Sequence, residues 1–340
     1  MKIFPPEKRI ERVSLVSQET AVINKDVKGL GSAVPGSSFG KRVVKDFIRN
    51  RYVYFMALPI LAYYLIFHYG PMYGAIIAFK DFNVGKGIWG SPWVGFKHFN
   101  DFFQSFYFWR VLKNTLLISV YSLLWGFPAP IILALLVNEI KNKFFKKTVQ
   151  TVTYLPHFIS IVVICGLIHD FVARDGIITN LLVFMGMERV NPLSKPEFFK
   201  TIYISSGVWQ EVGWGSIIYL AALSAIENEQ YEAATIDGAG RWKQLIHVTW
   251  PGLLPTVVIL LILRLGHIMG VGFEKIMLLY NANTYDTADV ISTFVYRKGL
   301  QGGFEFSFST AVGLFNSAIN FAMLLLSNWI SKRFSEHSLW

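Results

Sequence analysis

A chain of 340 residues that is 53% apolar, 16% aromatic and 16% charged, with positive mean hydropathy, is too apolar for an ordinary soluble domain and suits several membrane spans. Its net charge of +10 does not indicate nucleic acid, because no basic stripe interleaved with aromatics occurs and cations beside spans account for the balance. Cys165, the single cysteine, lies in an apolar run, which excludes an intrachain disulfide or thiolate cluster and leaves it as buried filler.

Residues 1–43 are expected to form a disordered, polar cytoplasmic tail. They hold Pro5, Pro6 and the run GLGSAVPGSSFG, and they lack the apolar core of a cleavable signal peptide. Lys8, Arg9 and Arg12 give this tail a minor route to a membrane surface. No GxxxxGK[ST] phosphate loop occurs: Gly40 and Lys41 come closest, but Pro35 and Arg42 occupy the first and last motif positions. Any ATP chemistry therefore belongs to a partner.

Residues 44–340 read as an all-α membrane domain of six transmembrane helices. The first span, about 52–79, follows Lys41, Arg42, Lys45, Arg49 and Arg51 and is interrupted by Gly70 and Pro71. The second, about 114–137, leads into the lysine-rich turn EIKNKFFKKT, and the third, about 151–172, contains Pro156. The fourth covers about 201–226, the fifth about 253–280 and the sixth about 306–330, closed by Lys332 and Arg333. The basic flanks hold both termini in the cytoplasm. No internal repeat is visible, which counts against secondary transporters built from inverted repeats.

Between the fourth and fifth spans lies a polar island, YEAATIDGAGRWKQLIHVTWPGLLP, from Tyr231 to Pro255. Glu227, Glu229 and Glu232 suit the positive end of a helix there, Gly238 and Gly240 allow a turn, and Asp237 is expected to cap a second short helix through Trp242 and Leu245. The spacing Glu232, Ala233, Ala234, three residues, Gly238, nine residues, Val248, one residue, Trp250, Pro251 resembles the EAA loop of ABC importer permeases. Trp250 replaces that family's leucine. The Asp237, Gly238, Ala239 variant resembles the carbohydrate-uptake branch.

The segments YGAIIAFKDFNVGKGIWGSPWVGFKHF, YLPHFISIVV, VGFEKIMLLYN and DVISTFVYRKGL are similar to polysaccharide-type permeases of that branch, which handle alginate, aldouronates and related oligosaccharides. The resemblance implies a coupling loop at residues 227–251, with Glu232, Ala233, Ala234, Asp237 and Gly238 meeting an ATPase. It also implies a second homologous permease, two ATP-binding subunits that carry ATP and Mg, and an extracytoplasmic solute-binding protein. The location implied is the bacterial cytoplasmic membrane, the chain itself being neither an enzyme nor a cofactor carrier.

Polar side chains inside spans are costly unless they face a cavity or a neighbour, so their phase points to a pathway. Arg264, His267, Val271 and Glu274 fall on one helical face of the fifth span, and Ser309, Gly313, Asn316 and Asn320 on one face of the sixth. These stripes read either as a saccharide path or as interhelical bonding, including an Arg264–Glu274 ion pair. In the fourth span Trp209, Gln210 and Trp214, beside Glu211, offer stacking faces and amides to a sugar. Lys86, Lys97, Arg174 and Arg297 could attract an anionic saccharide. The rival class is an ion-coupled transporter or channel with Arg264, Glu274 and histidines as a charge relay.

Overall fold

The computed structural model describes residues 46–334; the amino-terminal tail lies outside them. Among the described residues the structure is helical, without strands, save one antiparallel bridge between Lys80 and Trp93. The chain divides into two compact units, Met1–Met72 and Tyr73–Trp340. In the first, α1 (Arg51–Tyr64) tolerates Pro59 and passes into a wider π turn at Leu65–Tyr69.

After a 3-10 segment at Tyr73–Phe79 and a single helical turn at Gly87–Gly90, the second unit runs through α2 (Lys97–Gln104), α3 (Phe108–Gly126) and α4 (Pro128–Glu139). Pro128 stands at the first position of α4, where its missing N–H costs no hydrogen bond. The α3–α4 run starts six residues earlier than expected from hydropathy. Two of its early polar residues find partners within the protein: Arg110 meets Asp286 and Asp289, with its Nε left buried and unbonded, and Asn114 donates to the carbonyls of both.

The third expected span, about 151–172 with Pro156 inside it, is bent. α5 (Lys143–Tyr154) and its 3-10 extension to Phe158 meet α6 (Ile161–Phe171) at 101°. Pro156 sits in the 3-10 turn, Ile159 is extended, and the Ser160 hydroxyl accepts the Val163 N–H to start the new helix. α7 (Ile177–Phe184) follows, then α8 (Pro196–Ser224), whose 29 residues span roughly 43 Å at 1.5 Å per residue.

Beyond α9 (Asn228–Ile236), a turn at Arg241–Gln244 and a π segment at Leu245–Thr249 run into α10 (Trp250–Gly266). The expected fifth span does not continue unbroken to Tyr280: residues 267–272 leave the helix before α11 (Phe273–Leu279). Gly266, Gly270 and Gly272 weaken helix propensity there. The freed donors find side chains instead, Met269 N–H giving to Asn320 Oδ1 at 2.9 Å and Gly272 N–H to Tyr203 Oη at 3.1 Å. α12 (Ile291–Tyr296) and α13 (Phe306–Phe334) complete the unit.

Among the described residues four helical runs are long and apolar enough to cross a membrane, and the bent pair makes a fifth. α8 is as long, but Gln210, Glu211 and its other polar residues lower its hydropathy. Its buried side chains hold two cores together: Phe199 and Tyr203 pack with Ile118, Ile164 and Ile276, while Tyr219 and Leu223 pack with Ile131 and Leu253. Cys165 is buried in the first of these, as expected of filler. At Gly213 α8 crosses α5 so closely that a Cβ would collide with the Thr153 carbonyl.

Candidate functional site

α9 and the following turn form a hinged knob. Gly238 has φ +74°, a conformation glycine adopts without strain, and the space around it is open. Ala239 N–H returns to Ala234 O at 2.8 Å and Gly238 N–H to Thr235 O at 3.0 Å, closing α9. Asp237 therefore ends α9 rather than capping the next helix. That cap position falls to Gly240, because four residues are needed to reverse the chain.

Gln244 Nε2 braces the knob through Thr235 Oγ1 at 3.0 Å and Ala239 O at 3.1 Å, and Tyr231 and Thr249 share a 3.0 Å hydroxyl hydrogen bond. Arg241 reaches Glu139 at the end of α4 at 3.6 Å. Glu232, Ala233, Asp237 and Gly238 are exposed and Ala234 is half-buried. Ile236 and Trp242 are 86% and 77% exposed, so among the described residues the knob presents an apolar and acidic face without a partner.

The bend between α5 and α6 builds a second feature. His157 stacks on Trp214 with ring centroids 4.5 Å apart and planes 1° from parallel, while its Nδ1 lies 3.1 Å from Glu211 Oε2. Phe158 closes edge-on against Trp214 at 5.5 Å. Trp214 thus stands on an ordered platform. Trp209, five residues earlier, is exposed on another side of α8, and Gln210 is half-buried. His157 escaped the sequence reading; its signal was the proline beside it, which bends the chain toward α8.

The fifth-helix break opens a cavity of about 120 Å³. Arg264 and His267 line it with Ser119 and Ser122 of α3, Tyr203 of α8 and the break itself. Glu274 lies beyond the break and forms no ion pair with Arg264; among the described residues Arg264 forms none at all, so no Arg264–Glu274 relay is assembled. Asn320 binds the break through Met269, and the Asn316 Oδ1 is buried without a hydrogen-bond partner. Ser119 and Ser122 were also missed, although with Thr115 they form a helical polar stripe in an apolar run.

At the other end of the α3–α4 run from the knob, Asp289 is fully buried and clamps residues 281–305 to α3. It accepts from Arg297 at 2.9 and 2.6 Å, from Thr293 Oγ1 at 2.8 Å and from Arg110 at 3.3 Å. Burial opposes the Arg297 charge, but the Asp289 carboxylate and the Tyr280 hydroxyl outweigh it and hold the guanidinium above its ordinary value. Arg297 is thereby committed to the fold rather than left free to attract an anionic solute.

Long apolar helices, a bent helix pair at 143–171, a helix interrupted at residues 267–272 and an exposed hinged knob are features of a transport permease of the ABC importer type. The chain belongs to the family described as binding-protein-dependent transport system inner membrane component, which matches residues 126–336. It is therefore a multi-pass inner-membrane protein and a permease rather than an enzyme.

It is 44% identical to the polygalacturonan/rhamnogalacturonan transport system permease protein YteP of Bacillus subtilis (strain 168), over 88% of this chain and 94% of that one. Protein LplB of the same organism is 41% identical over 86% and 92% of the two chains. Among solved structures, a bacterial ABC transporter involved in the import of the acidic polysaccharide alginate contains a chain 48% identical, with TM-score 0.80, covering 86% of this chain and 99% of that one. A chain of the bacterial alginate ABC transporter in complex with alginate pentasaccharide-bound periplasmic protein is 46% identical, with TM-score 0.81, covering 88% and 100%.

Proposed function

We propose that this chain is one of two transmembrane subunits of an ATP-driven importer of acidic oligosaccharides or polysaccharides. A second homologous permease completes the pathway, two ATP-binding subunits hold ATP and Mg and perform the hydrolysis, and an extracytoplasmic solute-binding protein delivers the saccharide. The chain crosses the lipid bilayer six times, with the bent α5–α6 pair as third span and α8 as fourth, and both termini are cytoplasmic.

The observation that carries this reading is the hinged knob. Glu232 and Ala233 of the EAA-like motif stand exposed on α9, and Ile236 and Trp242 offer apolar surface beside them. Closure of the ATPase dimer pushes on this rigid fitting, and because α10 continues from it with no more than a π turn between, the push reaches the break at 267–272. The relatives named for polygalacturonan and alginate support an acidic saccharide as the cargo.

The test is uptake of a radiolabelled galacturonate oligosaccharide into proteoliposomes holding the whole assembly and its binding protein. Uptake requires ATP and stoichiometric ATPase subunits on this account. Undiminished uptake without nucleotide hydrolysis would overturn it.

A further inference from the structure

We infer that the cavity at the fifth-helix break is a subsite that reads the carboxylate of an acidic sugar residue, with Arg264 as its charged anchor and the Ser119, Ser122 and Tyr203 hydroxyls completing it. This inference rests on the proposed saccharide cargo and adds to it a place in the chain where acidity is recognised.

The first argument is the state of Arg264. A guanidinium within a span is costly unless it faces a cavity or is paired. Arg264 lines the cavity and, among the described residues, has no carboxylate partner. No Asp or Glu contributes to the lining, so the charge facing the cavity from protein side chains is positive.

The second argument is Ser119, which is 6% exposed and whose Oγ is buried without a partner. A serine or threonine in a helix commonly bonds the preceding turn, as Thr115 does to Val111 O and Ser224 to Leu220 O. Ser119 forgoes that bond, and a buried hydroxyl left unsatisfied is unfavourable unless something else supplies its partner. Its neighbour in the cavity, the Tyr203 hydroxyl, already accepts from Gly272 N–H, which leaves its own proton for donation.

Donors of this kind around a cation select an acceptor with two oxygens and a negative charge, the form an arginine binds most directly. The cavity's 120 Å³ accommodates the carboxyl-bearing edge of one sugar and not a chain. Small residues at the break, Gly270 and Gly272, keep that edge open to the backbone.

The experiment is saturation-transfer NMR on the detergent-purified whole assembly without binding protein, with galacturonate and galactose as separate probes. Galacturonate is expected to give a signal that galactose does not. That signal should fall about tenfold in Arg264→Gln and about threefold in Ser119→Ala, in proportion to the loss of a charge-assisted and a neutral hydrogen bond. Absence of a galacturonate signal in the unaltered assembly, equal signals from both sugars, or a Ser119→Ala signal equal to the unaltered one overturns the subsite. Ser119→Ala removes one oxygen and decides the matter even where Arg264→Gln does not assemble. The proposed function stands or falls separately, on ATP-dependent uptake.

Discussion

Removing the Asp289 carboxylate is expected to release the segment 281–305 from the bundle. Asp289 is fully buried and its two arginines are each 22% exposed, so Asp289→Ala leaves Arg297 largely desolvated without a carboxylate and Arg110 with Asp286 alone. Breaking a buried pair by deleting one partner costs about 3–5 kcal/mol. Asp289→Asn keeps an acceptor for Thr293 and for one arginine nitrogen and loses the charge, which places it lower, at about 1.5–3 kcal/mol.

The assay is thermal unfolding of the purified assembly, with limited proteolysis at 281–305 as a local readout. The order expected is unaltered, then Asn, then Ala, with cleavage rising in the same order. Because Arg297 is held above its ordinary value, it is charged below the guanidinium range, and its stabilisation would be lost only as pH rises through the folded value. Alkaline titration to about pH 10 should therefore leave the clamp intact. Equal stability of Asp289→Ala and the unaltered protein, or cleavage at 281–305 appearing by mild alkali, would refute the reasoning.

Gly238→Val is expected to leave the bundle folded and to uncouple hydrolysis from uptake, since no neighbour lies within reach of a new Cβ but a left-handed φ costs a non-glycine residue about 1–2 kcal/mol; uptake and ATPase attachment measured together check this. Gly213→Ala forces α8 away from α5 at the Thr153 carbonyl and should destabilise by about 1–3 kcal/mol, read by thermal unfolding. Trp214→Ala removes the face on which His157 stacks, an interaction of about 0.5–1.5 kcal/mol, and should alter the dependence of ATP hydrolysis on loaded binding protein. An unchanged dependence there, and in Asn316→Ala, removes both residues from the pathway.

The knob and the apolar spans were legible because their signals are local: a spaced motif, glycines at a turn, runs of hydropathy. The same locality misplaced Asp237, whose cap role depended on how many residues the reversal consumes. Pro156 announced an irregularity but not its 101° size, which depends on the Ser160 cap and on the surface of α8. Gly266, Gly270 and Gly272 could have announced the fifth-helix break. What made the break affordable was Asn320 and Tyr203, which lie 51 and 69 residues from the donors they satisfy. The Asp289 clamp was invisible for the same reason, its Arg110 partner lying 179 residues away. Contacts at such separations leave no pattern in a single sequence.

The most direct measurement places one cysteine at Ile236, in a chain carrying Cys165→Ala, and labels it with a membrane-impermeant maleimide. Labelling is expected in inverted vesicles stripped of ATPase subunits, to be blocked when those subunits are restored, and to be absent in right-side-out vesicles. Labelling from the outside, or labelling indifferent to the ATPase subunits, would contradict the claim that the hinged knob is where nucleotide energy enters the permease.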